Sequence, residues 1–296
     1  MSLAPVIIVR PMDIPILGST AMANGELTRH DLRTRFTPIF RDVYIRKDAE
    51  VTAAVKARAA WLSTGAVLCG VSAAAVHGTK WLDPHDPAEI IRANAYPQKG
   101  MVVRRYRLAD DDVCLARSME VTTEARTAYD LGRRLPLAAG LAHLDALMNA
   151  TRFDIDAVEA IAQRSPRARG LRQLRQTLAL VDGGAESPYE SLTRLLLIQR
   201  GFPRPTTQIP VYDERGRLFA RIDIGWPEYR VGVDFEGKHH WTEPRQWDWD
   251  LERYAKLPEL GWLDTRVTAR ILHHRRGDFF DRVGAALISR GCPQTW

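Results

Sequence analysis

The stretch that most constrains this chain is residues 218–241, LFARIDIGWPEYRVGVDFEGKHHW. It reads as two β-strands joined by a turn at Pro227 and Glu228, because apolar and polar residues alternate with the two-residue period of a strand. On the second strand Val231, Val233 and Phe235 share one face, and Asp234, Glu236, Lys238 and His240 share the other. On the first, Ile222 and Ile224 are expected on one face and Asp223 on the opposite one. Two carboxylates in succession along one strand face repel each other. An aspartate between isoleucines is costly to bury unless it is paired or bound to metal. A hard divalent cation removes both costs by taking carboxylate oxygens. The pattern therefore points to a metal site of Asp223, Asp234 and Glu236, with Mg²⁺ or Mn²⁺ as the ion. The structural alternative for Asp223 is an edge position or a salt bridge to Arg221 or Arg230.

An ion placed there polarises a phosphoryl group and lowers the pKa of a bound water. Lys238 or His240 would orient that water or stabilise developing charge. Ser187-Pro188-Tyr189-Glu190 reads as a helix N-terminus, with Ser at the cap, Pro first and Glu third. That role alone explains Glu190, and a helix start packed on the sheet can also turn it toward the cluster. The catalytic candidates are thus Asp223, Asp234, Glu236, Lys238, His240 and Glu190. Asp250 and Arg253, one helical turn apart, would brace the site. Trp241, Trp247 and Trp249 are read as a lid on the core. No cysteine lies near His239 and His240, which argues against zinc.

Around this stretch the pattern gives the order α-β-β-β-α-β-α from Pro188 onward, a small mixed α/β domain. Asp182-Gly183-Gly184 marks its start. Upstream, Thr28 caps a short helix expected to run through Phe36, and PIFRDVYI reads as a hairpin. A basic helix followed by a basic hairpin has the layout of a winged helix-turn-helix. Arg29, Arg33 and Arg35 would lie on the helix, and Arg41, Arg46 and Lys47 on the wing, positioned for phosphates. A cap with solvated arginines is the alternative. A helix is expected from Val51 to Leu62, strands at AEIIRA and MVVRRYRL, and helices over 119–180. MVVRRYRL would either face DNA or guard a sheet edge with charge. The arginines at 164, 167, 169, 172 and 175 read first as a solvated face. The resulting division is 1–50, winged-helix-like; 51–182, an α/β region with a helical second half; and 183–296, the domain that carries the acidic strands.

The net charge of +6 favours an anionic partner such as DNA. Three scattered cysteines, Cys69, Cys114 and Cys292, fit a reducing cytoplasm. No apolar run is long enough to span a bilayer, and the N-terminus lacks a signal-peptide pattern.

Residues 185–270 resemble the DUF559 family, a Vsr-like branch of the PD-(D/E)XK nuclease superfamily. The resemblance rests on SPYESLTRLLL, GFPRP, Gln208, RIDIGWPEYRVGVDFEGKHHW, the Asp250-to-Arg253 step and ELGW before a strand. It implies a restriction-endonuclease-like three-layer α/β fold and a metal-dependent core that hydrolyses DNA phosphodiesters. The family pattern has Glu, one residue, then Asp-Gly, where this chain has Asp234-Phe235-Glu236-Gly237. A second register pairs Asp223 with Glu236-Gly237-Lys238. Both keep Asp223 and Glu236. RHDLRTRFTPIFRDVYI, AVLCGVSAAAVHG and VTTEARTAYDLGRRL resemble AbiEi-like antitoxin proteins, which implies an N-terminal DNA-binding winged helix, a following α/β domain and a possible toxin partner. Two functions follow as expectations. One is a Mg²⁺-dependent DNA endonuclease with an N-terminal DNA-binding region. The alternative is a non-catalytic, antitoxin-like DNA-binding regulator that uses the nuclease fold as a scaffold.

Overall fold

The structure, a computed structural model, describes residues 14–94, 96–237 and 255–296. It is mixed α/β, and its described residues form three sheets. The chain divides into two compact units, Met1–Leu135 with Ala150–Leu178, and Pro136–Asn149 with Ala179–Trp296.

The first unit opens with β1 (Ile16–Leu17), α1 (Gly18–Ala23), α2 (Arg29–Arg35), β2 (Phe36–Phe40) and β3 (Val43–Arg46). The strands form an antiparallel sheet in the order β1-β3-β2. Helix α2 stops one residue sooner than expected. Phe36 is already extended and pairs with Arg46, so strand pairing takes it from the helix. Arg41 and Asp42 turn the hairpin, with Asp42 at a φ of 59°. Two short helices thus precede a hairpin, and β1 pairs beside it.

Then come α3 (Ala53–Thr64), β4 (Val67–Leu68), α4 (Gly70–Val76), β5 (Ala88–Ile91), β6 (Met101–Arg104), β7 (Val113–Ala116) and β8 (Met119–Thr122). Strands β4 to β8 form one sheet, ordered β6-β5-β4-β8-β7. Its core joins Phe40 and Val43 of the hairpin to Ala57, Leu68, Ile90 and Val121. Small residues let α4 pack closely, and all but one of its side chains are buried.

The segment from Met119 is a strand before it is a helix. Arg117 and Ser118, at φ of 50° and 63°, close a two-residue hairpin between β7 and β8. Such turns are usually signalled by Asn-Gly, and Arg-Ser gives no such cue. Three helices then complete the unit: α5 (Glu124–Arg134), α7 (Ile155–Arg164) and α8 (Leu171–Leu178). Between α5 and α7 the chain forms α6 (Leu137–Thr151), most of which belongs to the second unit.

A buried ion pair fixes α6 there. Arg194 Nη2 lies 2.7 Å from Asp145 Oδ2, with both side chains essentially inaccessible. The backbone N–H of Asp182 donates to the other oxygen of Asp145 at 2.8 Å. The second unit continues with α9 (Pro188–Arg200), β9 (Thr206–Tyr212), β10 (Leu218–Trp226), β11 (Val231–Glu236), a helical turn at 255–259, β12 (Leu263–Thr268), α10 (Ala269–His274) and α11 (Arg276–Ser289). Its sheet runs β12-β11-β10-β9, with β11 and β12 parallel and the other pairs antiparallel. The last helix expected from sequence, roughly Gly277 to Arg290, is α11; α10 before it was not expected, and Arg275, outside the helical region, separates the two. Leu197, Ile224, Trp226, Val231, Val233, Val267 and Phe279 form the main core.

Candidate functional site

Charge gathers in two places, one in each unit. In the first unit it is basic and local. Thr28 starts α2 with a reciprocal cap: its hydroxyl accepts from Asp31 N at 3.1 Å, and Asp31 accepts from Thr28 N at 3.0 Å. The hydroxyl bond from Thr28 holds the partly exposed Asp31 carboxyl below the usual carboxylate range. Leu32 anchors the helix in the core. Arg29 and Arg33, one turn apart, are exposed on a shared face. Asp42, at the hairpin tip, accepts from Ser19 N at 2.9 Å, and so ties the wing to the start of α1.

The six basic candidates divide. Among the described residues Arg29, Arg33 and Arg41 are exposed and have no ion pair. Arg46 is held by Asp48 at 2.7 Å and Arg35 by Asp31 at 3.5 Å. Lys47 donates to the Arg33 carbonyl at 3.1 Å, spending its charge on the end of α2.

The other arginine-rich stretches are engaged in part: among the described residues Arg167, Arg169 and Arg172 are exposed and have no ion pair, whereas their neighbours are held. Strand β6 is a sheet edge, and its Arg104 pairs with the buried Glu89 at 2.9 Å. Burial works against ionised Glu89, but Arg134 and Arg104 outweigh it and hold its pKa below the ordinary glutamate value. Arg164 is bound by Asp111 and Asp112, each at 2.8 Å, and Arg175 by Glu159 at 3.4 Å.

In the second unit the charge is acidic and set in strands. The β10–β11 ladder pairs Trp226 with Val231, Gly225 with Gly232 and Ile224 with Val233. One step further, Asp223 faces Asp234, and side chains take over the pairing. Asp223 N donates to Asp234 Oδ1 at 2.9 Å, and Phe235 N donates to Asp223 Oδ2 at 2.9 Å. Asp234 is 3% exposed. The alternation expected along β10 breaks here. Ile224 packs with Val233 in the main core, whereas a Cβ on the neighbouring Gly232 would meet Ile222 at 2.9 Å. Ile222 and Ile224 therefore lie on opposite faces. The sequence reading put them on one face because it assumed an unbroken ladder.

The row continues across the sheet. Ile209 opposite Ile222 and Thr207 opposite Ile224 place Gln208 across from Asp223. On the far side Arg266 stands beside Asp234 in the parallel register. Gln208 has a φ of 54°, a conformation that costs a non-glycine residue on the order of 1 kcal/mol. Its Nε2 donates to Glu190 Oε2 at 3.2 Å, and its buried Oε1 has no hydrogen-bond partner among the described residues.

Glu190 keeps its capping role: its N–H donates to Ser187 Oγ at 3.1 Å, and its carboxylate accepts from Glu186 N at 2.7 Å. Burial pushes its pKa above the ordinary glutamate value. Glu190 thus bonds with Glu186 and Ser187 at the start of α9 and with Gln208 of β9. Glu236 pairs with Arg266 Nη1 at 3.2 Å. Arg221 of the first acidic strand pairs with Glu186 at 2.6 Å.

Among the described residues no three His, Cys, Asp or Glu side chains converge to hold a metal ion. Lys238, His240, Asp250, Arg253, Trp241, Trp247 and Trp249 lie outside the described residues. Sequence reasoning missed Arg266 as part of the row. Its signal was present in LDTRVT, where Asp264 and Arg266 alternate with apolar or β-branched neighbours.

Two comparisons place the chain. Residues 58–180, from within α3 to just beyond α8, match the model of the AbiEi antitoxin C-terminal domain. Two proteins of Mycobacterium tuberculosis are 31% identical to the chain over 258 residues: Uncharacterized protein MT2308 of strain CDC 1551 / Oshkosh and Uncharacterized protein Rv2248 of strain ATCC 25618 / H37Rv. The match covers 84% of this chain and 91% of each relative. The chain belongs to the Rv2248 family. A match of that length exceeds either compact unit, so the Rv2248 family carries parts of both. The antitoxin-type match falls mainly on the sheet of β4 to β8 and the helices packed with it. No helix among the described residues is long and apolar enough to cross a membrane.

Proposed function

We propose that this protein is an antitoxin-type DNA-binding protein. Helix α2 and the β2–β3 wing form its DNA contact, and a toxin partner is the corresponding protein ligand. The observation that carries the reading is the exposed Arg29–Arg33 pair on the second helix of a winged unit, joined to a domain that matches the AbiEi antitoxin C-terminal model. Cations on such a helix displace counterions from phosphates, so binding weakens steeply with salt. Fluorescence anisotropy of a labelled duplex against salt tests this. Arg29→Ala and Arg33→Ala are each expected to reduce the slope of log affinity against log salt by about 1. An unchanged slope in both variants would reject α2 as the contact.

The second reading is the metal-dependent nuclease, favoured by Asp223 facing Asp234. Each carboxylate accepts from a strand N–H, and hard oxygen donors from neighbouring strands suit Mg²⁺, which takes one or two carboxylates and completes its shell with water and phosphate. The buried Gln208 Oε1, across from Asp223, adds an oxygen of the same kind. An ion held by Asp223 and Asp234 would polarise a phosphodiester and acidify a bound water. The strand N–H groups of Asp223 and Phe235 orient the two acids. Supercoiled plasmid with Mg²⁺ or Mn²⁺ separates the readings. Metal-dependent nicking that Asp223→Ala abolishes establishes the nuclease; salt-sensitive binding without nicking leaves the regulator.

A further inference from the structure

Three carboxylates on adjoining strands would repel an anionic diester, so a site of this kind needs a cation that faces the substrate. The parallel register sets Arg266 beside Asp234, and neighbours in register present their side chains on the same face. The same alternation carries Glu236, two residues beyond Asp234, to that face. There Glu236 Oε1 meets Arg266 Nη1 at 3.2 Å. The arginine side chain is 42% exposed, which leaves it within reach of a ligand in solvent.

We infer that Arg266 binds a non-bridging oxygen of the phosphodiester at this face, and that Glu236 is its positioning residue rather than a third metal ligand. The inference rests on the nuclease reading. Two observations support it. Asp223 faces Asp234, not Glu236, across the two antiparallel strands. Glu236 has turned to the neighbouring strand instead, toward Arg266. Chemistry points the same way. A guanidinium has five N–H donors in a planar fork, enough to hold a carboxylate and a phosphate oxygen together. A half-exposed ion pair contributes little to stability.

The test uses the full chain, Mn²⁺ titration followed by electron paramagnetic resonance, and plasmid nicking. Arg266→Ala is expected to slow nicking roughly 100-fold, as loss of one transition-state donor does elsewhere, while Mn²⁺ affinity stays at the wild-type value. Arg266→Lys restores part of the rate. Glu236→Gln leaves Mn²⁺ affinity unchanged and raises KM for DNA, whereas Asp234→Asn loses the metal. If Glu236→Gln weakens Mn²⁺ as Asp234→Asn does, or if Arg266→Ala nicks at the wild-type rate, the assignment is overturned while the nuclease reading stands. If the wild type neither binds Mn²⁺ nor nicks DNA, the nuclease reading falls and this assignment falls with it.

Discussion

On α2 the arginines stand in water, while at the meeting of β10 and β11 Asp234 is drawn out of it and Asp223 partly so. These two sites therefore hold charge at different cost, although the first unit has buried charge of its own at Glu89 and Asp130. Arg29 and Arg33 are placed by a capped helix and one buried leucine, and nothing in the core depends on them. Asp234 is 3% exposed and supplies a hydrogen bond that a backbone carbonyl would otherwise provide. Arg194 and Asp145 take this further, as an inaccessible pair that ties α6 to α9. Exposed charge can be altered to tune binding, whereas buried charge is part of the architecture around it.

The largest effect that would sharpen this contrast is in the second unit. Arg194→Ala leaves Asp145 buried without its cation, and is expected to cost about 3–5 kcal/mol in urea denaturation. A loss no larger than that of a surface arginine would break the contrast. Next comes Gly232→Ala. Its methyl group would meet Ile222 Cγ2 at 2.9 Å and Cδ1 at 3.0 Å. Overpacking of this kind costs about 1–3 kcal/mol, and a thermal midpoint equal to wild type would show that the β10–β11 meeting yields.

Glu190 gives a smaller, pH-dependent effect. Burial raises its pKa in the fold above the unfolded value, so the native state binds its proton more tightly. The stability this confers is full below the ordinary glutamate pKa and is lost as pH rises through the folded value. Glu190→Gln should flatten that part of the stability–pH curve, measured as the denaturation midpoint from acidic to neutral buffer. Smallest of all, Arg46→Ala removes a half-exposed pair with Asp48 and should change stability by less than about 1 kcal/mol in the same denaturation assay. A larger loss would show that the wing, too, depends on its charges.

The strands of the second unit were legible because alternation is a local property. Val231, Val233 and Phe235 read as one face and proved to be one. The caps at Thr28 and Ser187 were legible for the same reason, since each bonds within four residues of itself. What could not be read was the partner across the sheet. Nothing near Asp223 says that it faces Asp234, or that its own N–H will be satisfied by that carboxylate. The β7–β8 hairpin was hidden by an Arg-Ser turn, whose positive φ values the sequence does not advertise.

Sequence alone determined the strands of the second unit and the longer helices, where acidic and basic residues concentrate, and that Thr28 caps α2. These depend on neighbours along the chain, through side-chain periodicity and local hydrogen bonds. Tertiary structure decided which acidic residues meet, that Glu236 turns to Arg266, and that α6 belongs with α9 through Asp145 and Arg194. Those outcomes depend on register and on burial. A one-residue change of register exchanges the faces of a strand, and a buried charge must find its counter-ion wherever the fold brings one.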